Sequence, residues 1–211
     1  MKKFILSLFT IFLIFGFSGC VSYAQYNVSL ESVEVPKNNK QTFGKQVIVK
    51  SDEKGKTKYI FKDNMIEITW LVTSSNIYFN LKNKTNHSIK IIWDEAVFID
   101  QDGQSHSVIH TGTKYSDRNN LKPPTIIARN AKVSDIIFPS DYVYSRSGQW
   151  KKLDLIKNYR TSSPKFAKDI PELAKKEINK IIQVLLPIKI EGIINEYIFV
   201  FRINDFKIVK D

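Results

Sequence analysis

An all-β chain of antiparallel strands is what this sequence predicts, and three observations carry the prediction. Apolar residues recur at every second position in one run after another. Short clusters rich in Asn, Ser, Asp and Gly separate the runs. After residue 20, only one stretch carries a helical stripe. At 43% hydrophobic and 12% aromatic, the chain is also too apolar to stay disordered.

Taken in order, Asn27 to Val35 alternates nearly in step through Val28, Leu30, Val33 and Val35, and reads as a first strand. Pro36 to Gln41 is a polar break. Gln46 to Lys50 and Lys58 to Phe61 read as two short strands around a hairpin loop, Ser51 to Lys56. The clearest signal follows. Ile66, Ile68, Trp70 and Val72 share one face; Ile77, Phe79 and Leu81 share another; Ile89, Ile91 and Trp93 share a third. The short turns Ser74-Ser75-Asn76 and Asn83 to His87 make these runs antiparallel neighbours. Asp94-Glu95 breaks the phase, which predicts a bulge or a strand switch, and Ala96 to Ile99 resumes it. Asp100 to Gly103 is a turn, followed by a strand over Ser105 to His110.

Thr111 to Pro124 has no period, and Lys122-Pro123-Pro124 is barred from a central strand, so this is a long loop. Thr125 to Ala128 and Lys132 to Phe138 read as strands around Arg129-Asn130. Pro139 to Gly148 reads as irregular, Trp150 to Tyr159 as ambiguous, and Arg160 to Lys168 as a basic loop. The short helix is expected over residues 169–180, with Asp169 and Glu172 as a capping box and a stripe of Ile170, Leu173, Ala174, Ile178 and Ile181. Val184 to Ile190 and Tyr197 to Ile203 alternate again, with Gly192 near their turn. The expected fold is an antiparallel immunoglobulin-like β-sandwich with Trp70 and Trp93 in its core. An up-and-down barrel is the rival. Without a repeat or a low-complexity linker, residues 27–211 read as one domain.

The N-terminus has a different character. Lys2 and Lys3 precede an uncharged, mostly apolar run from Phe4 to Phe17, and small residues follow, which is the layout of a secretory signal. Phe17-Ser18-Gly19-Cys20 resembles the lipobox of bacterial lipoproteins, although Phe17 stands where Leu is usual. The resemblance implies cleavage before Cys20, a diacylglycerol on its sulfur, further acylation such as palmitate, and a membrane-held product. Residues 1–19 are then the signal peptide and 20–26 a tether. Two alternatives stay open. Ser22-Tyr23-Ala24 offers an ordinary cut after Ala24, and the apolar run is short of the ~20 residues of a spanning helix. Cys20 is the only cysteine, so no intramolecular disulfide forms. In a host with two membranes, Val21 after the cysteine favours the outer one.

The formal charge is +11, and loss of Lys2 and Lys3 with the signal leaves +9. That balance suits anionic lipid or glycan. Export argues against nucleic acid, and the lysines are interleaved with acids along the chain, as on a solvated surface.

The run from Asn80-Leu81-Lys82-Asn83-Lys84-Thr85 through Ile91, then Phe98-Ile99-Asp100 and Gly103, resembles the centre of small bacterial lipoproteins with telokin-like or FxLYD-like β-sandwich domains. It covers Ile66 to His110, under a quarter of the chain. It implies an exported, anchored binding or scaffolding domain and brings no catalytic residues with it.

Two constellations stand out. His106 and His110 lie near Asp100 and Asp102, ligand types a metal accepts. On a regular strand, however, the two histidines are about 13 Å apart, too far for one ion. The aspartates then shape the turn and the histidines stand on the surface, so no metal or cofactor is expected. The second is the loop Tyr115 to Asn120, where Asp117, Arg118 and Asn119 are the candidate binding residues. The alternative is an internal clamp from Arg118 to Asp117 or to backbone. No His-Glu-x-x-His, Gly-x-Ser-x-Gly or phosphate-loop pattern occurs. The chain therefore reads as a non-enzymatic, lipid-anchored envelope module that binds or scaffolds another envelope protein or glycan. A carboxylate-pair hydrolase of envelope polymers and a basic module for anionic lipid or glycan are the alternatives.

Overall fold

The structure, a computed structural model, describes residues 21–34, 43–53 and 56–210. The expected signal peptide, Cys20 and the polar break at Pro36 to Gln41 lie outside the described residues.

Strand β1 spans Ser22–Glu34. It begins within the stretch expected to be a tether, because Ser22, Ala24, Tyr26, Val28 and Leu30 all turn buried side chains to one face. The apolar period starts earlier than Asn27, hidden by the small Ala24 and the polar Ser22. β2 (Val47–Glu53) and β3 (Lys56–Lys62) form a hairpin longer than its apolar residues suggest, since the loop residues Ser51 to Glu53 join the ladder. β4 (Ile66–Val72), β5 (Ile77–Asn83) and β6 (Ile89–Ile91) follow the period-two runs, but only β4 and β5 pair with each other. β6, expected beside β5, pairs with β9 (Thr125–Ile127) and β14 (Ile181–Ile190), because the turn from Asn83 to His87 carries the chain across to another part of the sheet instead of closing a hairpin. Where Asp94-Glu95 breaks the phase, Trp93–Glu95 forms a 3-10 turn. β7 (Val97–Ile99), β8 (Ser105–Ile109), β9 (Thr125–Ile127) and β10 (Lys132–Pro139) come next.

The stretch from Pro139 to Gly148, which lacks periodicity, holds a 3-10 turn at Ser140–Tyr142 and then β11 (Val143–Arg146), paired with β12 (Gln149–Lys152). Ser147 and Gly148 both have positive φ, 52° and 74°, as a two-residue primed hairpin turn demands. This hairpin is a separate two-stranded sheet with mostly exposed side chains, so burial imposes no alternation on its sequence. β13 (Arg160–Thr161) precedes α1 (Pro164–Ala167) and α2 (Ile170–Lys175). The helical segment thus starts earlier and ends earlier than residues 169–180. Asp169 stands at the N-cap of α2 but its side chain makes no capping bond, so the capping box does not form. β14 (Ile181–Ile190) and β15 (Ile193–Lys210) close the chain through a Glu191-Gly192 turn with φ of 50° and 85°.

The main sheet has 13 strands, with the path β13-β1-β15-β14-β7-β8-β10-β5-β4-β3-β2. All its pairings are antiparallel. β10 makes the corner: Lys132 to Ile137 pair with β5, while Phe138 and Pro139 pair with β8. The sheet therefore curls, and its two halves face each other in a sandwich-like core. Trp70 on β4 lies 4.7 Å from Phe199 and 5.5 Å from Phe201 on β15, and Phe61 on β3 lies 5.7 Å from Phe199, although these strands are far apart along the sheet. Trp70, Phe61, Phe199 and Phe201 are fully buried, and each such ring contributes roughly 2–3 kcal/mol of apolar burial. Among the described residues no helix is long and apolar enough to cross a membrane.

Candidate functional site

The corner where β8 meets β10 gathers most of the chain's unusual chemistry. Asp100 follows β7 and accepts from the backbone N–H groups of Asp102 and Gln104, both at 2.9 Å, which builds the tight turn into β8. Its second oxygen, Oδ2, lies 3.2 Å from Nε2 of His106. The other ring nitrogen, Nδ1, lies 2.7 Å from Asp141 Oδ2 in the turn after β10. With a carboxylate on each nitrogen, both ring positions donate, as in an imidazolium. Burial opposes that charge, but the hydrogen bonds and charges of Asp141 and Asp100 outweigh it and hold the His106 pKa above its ordinary value. Burial also works against the Asp100 carboxylate, yet the Gln104 N–H, His106 and the Asp102 N–H keep its pKa low. Tyr142 donates to Asp100 at 3.5 Å, and burial, with the charges of Asp100 and Asp141, pushes its hydroxyl up to about 12. His106 is thus a buried staple rather than the surface residue expected from the sequence.

His110, just past the end of β8, belongs to a different cluster. Its ring lies flat on the indole of Trp93, with centroids 4.2 Å apart and planes 2° from parallel. Its Nδ1 is 3.3 Å from Asp135 Oδ2. Asp135 Oδ1 accepts from the N–H groups of Thr111 at 2.7 Å and Ile136 at 2.8 Å. Burial raises the Asp135 pKa, but His110 and the two backbone donors overcome this and hold it low. The two histidines thus meet different aspartates, and among the described residues no group of three or more His, Cys, Asp or Glu is placed to hold a metal.

A cleft of about 390 Å³ opens beside His110. Its lining includes the apolar Phe138 and Ile109, Thr111 to Thr113, Tyr115 and Lys152. Lys152 Nζ stands 4.0 Å over the Phe138 ring and donates to Asn76 at 2.8 Å. Partial burial lowers its pKa, although Asp154 opposes this. A lysine held over an aromatic ring, with an imidazole fixed at one nitrogen in the same lining, suits a small ligand with an anionic group.

The loop singled out in the sequence forms the rim. Tyr115–Asp117 is a 3-10 turn. Arg118 donates from Nη1 to the Tyr115 carbonyl at 3.1 Å and lies 5.3 Å over the ring of Trp150 on β12. Tyr115 meets the same indole edge-on, with centroids 5.9 Å apart. Asp117 accepts from its neighbour Ser116 at 3.1 Å, and Asn119 is exposed. The backbone clamp by Arg118 and its contact with Trp150 coexist, and of this loop Tyr115 lines the cleft. Further along, Asp94 accepts the Lys122 N–H at 2.8 Å and ties down the approach to the double proline.

Sequence reasoning missed Asp135, Phe138, Trp150 and Lys152 as site residues. Asp135 carried a signal: it falls in phase with Val133 and Ile137, a charge on the buried face of a strand. Lys152 and Trp150 carried none, because they lie in the hairpin without a period. No family model, curated protein or solved structure matches this chain, so the resemblance of residues 66–110 to lipoprotein sandwich domains stands on those residues alone.

Proposed function

We propose that the chain is a non-enzymatic, lipid-anchored lipoprotein of the bacterial cell envelope, held through Cys20, whose cleft binds an acidic glycan. The carrying observation is the cleft itself: Lys152 over Phe138, His110 stacked on Trp93, and Arg118 on the exposed Trp150 at its rim. Aromatic faces suit sugar rings, and two cations suit a carboxylate. Asp135 spends its oxygens on one imidazole and two backbone donors, an arrangement that fixes the ring in place and supports binding over base catalysis. Val21 after the lipidated cysteine favours the outer membrane where the host has two.

Two measurements test this. The intact mass of membrane-extracted protein beside Cys20→Ala is expected to show residues 20–211 plus acyl chains, lost in the variant; a bare chain beginning at Gln25 removes the anchor. Titration with a short uronic-acid oligosaccharide, followed by tryptophan fluorescence, is expected to saturate and to weaken with added salt. A flat titration, or one unchanged in Trp150→Ala, removes the glycan.

A further inference from the structure

Resting on the anchoring reading, a second surface follows from where the fold begins. Ser22 is already in the sheet, paired with Thr161 of β13 on one side and Lys210 of β15 on the other. Only Val21 separates it from Cys20. Two residue steps reach at most roughly 7 Å, so acyl chains on Cys20 bring this end of the sheet to the depth of the lipid headgroups. A tether would have left the domain free to choose its orientation; a strand that starts at Ser22 does not.

The chemistry of that end is distinct. Residues 157–168 and 206–210 contain Lys157, Arg160, Lys165, Lys168, Lys207 and Lys210 and no acid, although Asp169, Asp205 and Asp211 border them. A groove of about 390 Å³ lies there, lined by Ser22, Pro164, Lys168, Ile208 and Lys210. Beside it α1 carries Lys165 and Phe166; Phe166 is 58% exposed, and the Lys165 ammonium stands 5.9 Å from the centroid of its ring. On the back of the same end Arg160 stands 5.8 Å over Tyr23. An exposed aromatic among lysines at the root of a lipid anchor matches the two-signal logic of stable membrane attachment, an acyl chain plus a basic patch.

We infer that this end of the domain lies on the bilayer that carries the anchor, with Phe166 in the interface and Lys165, Lys168 and Lys210 on anionic lipid headgroups. The lysines supply charge complementary to the headgroups, and Phe166 supplies the apolar contact. The opposite end of β15, at Ile193, then points away from the membrane.

The test uses the full acylated protein extracted from membranes. Its Cys20 sulfur is a thioether, so a cysteine introduced at Phe166 or at the exposed Ile193 is the one thiol that takes an environment-sensitive fluorophore. The proteins are placed in vesicles of phosphatidylcholine alone or with phosphatidylglycerol. The expected result is a blue shift at position 166 in the phosphatidylglycerol vesicles, reduced by salt and by Lys165→Glu with Lys168→Glu, and an aqueous spectrum at 193 throughout. Equal spectra at 166 and 193 in a protein of acylated mass overturn the inference and leave the anchor standing. An equal blue shift at 166 in both vesicle types overturns the headgroup assignment. A bare mass overturns the anchor, and this inference with it.

Discussion

His106 and His110 stand four residues apart, one near the start of β8 and the other just past its end, and each meets an aspartate. They differ in what surrounds the ring. His106 has a carboxylate on each nitrogen, and its side chain is 8% exposed. His110 has one carboxylate, an indole flat against its face and a cleft beside it. The first arrangement spends all the donor capacity of the imidazole on joining the Asp100 turn to the segment after β10. The second fixes the ring at Nδ1, and among the described residues no bond occupies Nε2. A histidine–aspartate pair is therefore a closed structural joint when acids meet both ring nitrogens, and it leaves one nitrogen open when an acid holds only the other.

The largest test of this contrast is truncation. His106→Ala leaves the Asp100 carboxylate, 10% exposed, without its charged partner, and is expected to lower stability by about 3 kcal/mol in a denaturant titration. His110→Ala breaks one imidazole–carboxylate contact where His106→Ala breaks two, so it is expected to lower stability by about 1 kcal/mol and to abolish glycan binding. Equal losses of stability would erase the distinction.

The pH dependence sharpens it next. The His106 pKa is raised in the folded state, so its contribution is full below the unfolded value, about 6.5, and fades as pH rises through the higher folded value. Asp100 is lowered, so its contribution is full above the ordinary carboxylate range and fades as pH falls through its depressed folded value. The stability gap between the wild type and His106→Ala is therefore expected to be widest in mildly acid solution and to narrow towards alkaline pH. A gap that widens with pH would contradict an imidazolium between two carboxylates.

Smaller effects probe the cleft. Lys152→Met is expected to leave stability within about 0.5 kcal/mol while weakening uronic-acid oligosaccharide binding about tenfold, the size of one charge-assisted contact. Arg118→Ala is expected to change binding by less than about fivefold, because the cation–π pair with exposed Trp150 is worth under about 1 kcal/mol. A larger effect for Arg118 than for Lys152 would move the binding centre from the cleft to its rim.

Much of the fold was legible where one face of a strand is buried. β4, β5, β6 and β14 show their alternation because a one-residue slip would turn every apolar side chain to water. β11 and β12 were illegible for the converse reason: their side chains are largely exposed, so their order comes from a turn and from Tyr115 and Arg118 against Trp150. The early start of β1 was obscured by Ser22 and Ala24, small residues that bury without reading as apolar. The shortened helix has a similar cause. Pro171 near the start of α2 fixes where it begins, and the stripe beyond Lys175 passes into a turn and then into β14.

By itself the sequence determined the all-β class, the antiparallel β4–β5 hairpin, the buried Trp70 and Trp93, and the loop bearing Asp117, Arg118 and Asn119. These follow from periodicity and turn chemistry, which act over a few residues. Only the tertiary structure decided that Asp141 reaches His106, that Asp135 holds His110, and that Lys152 stands over Phe138. Asp135 and Asp141 are brought in by β10 and the turn after it, and Lys152 by the separate β11–β12 hairpin; contacts between elements that distant leave no local pattern in the chain.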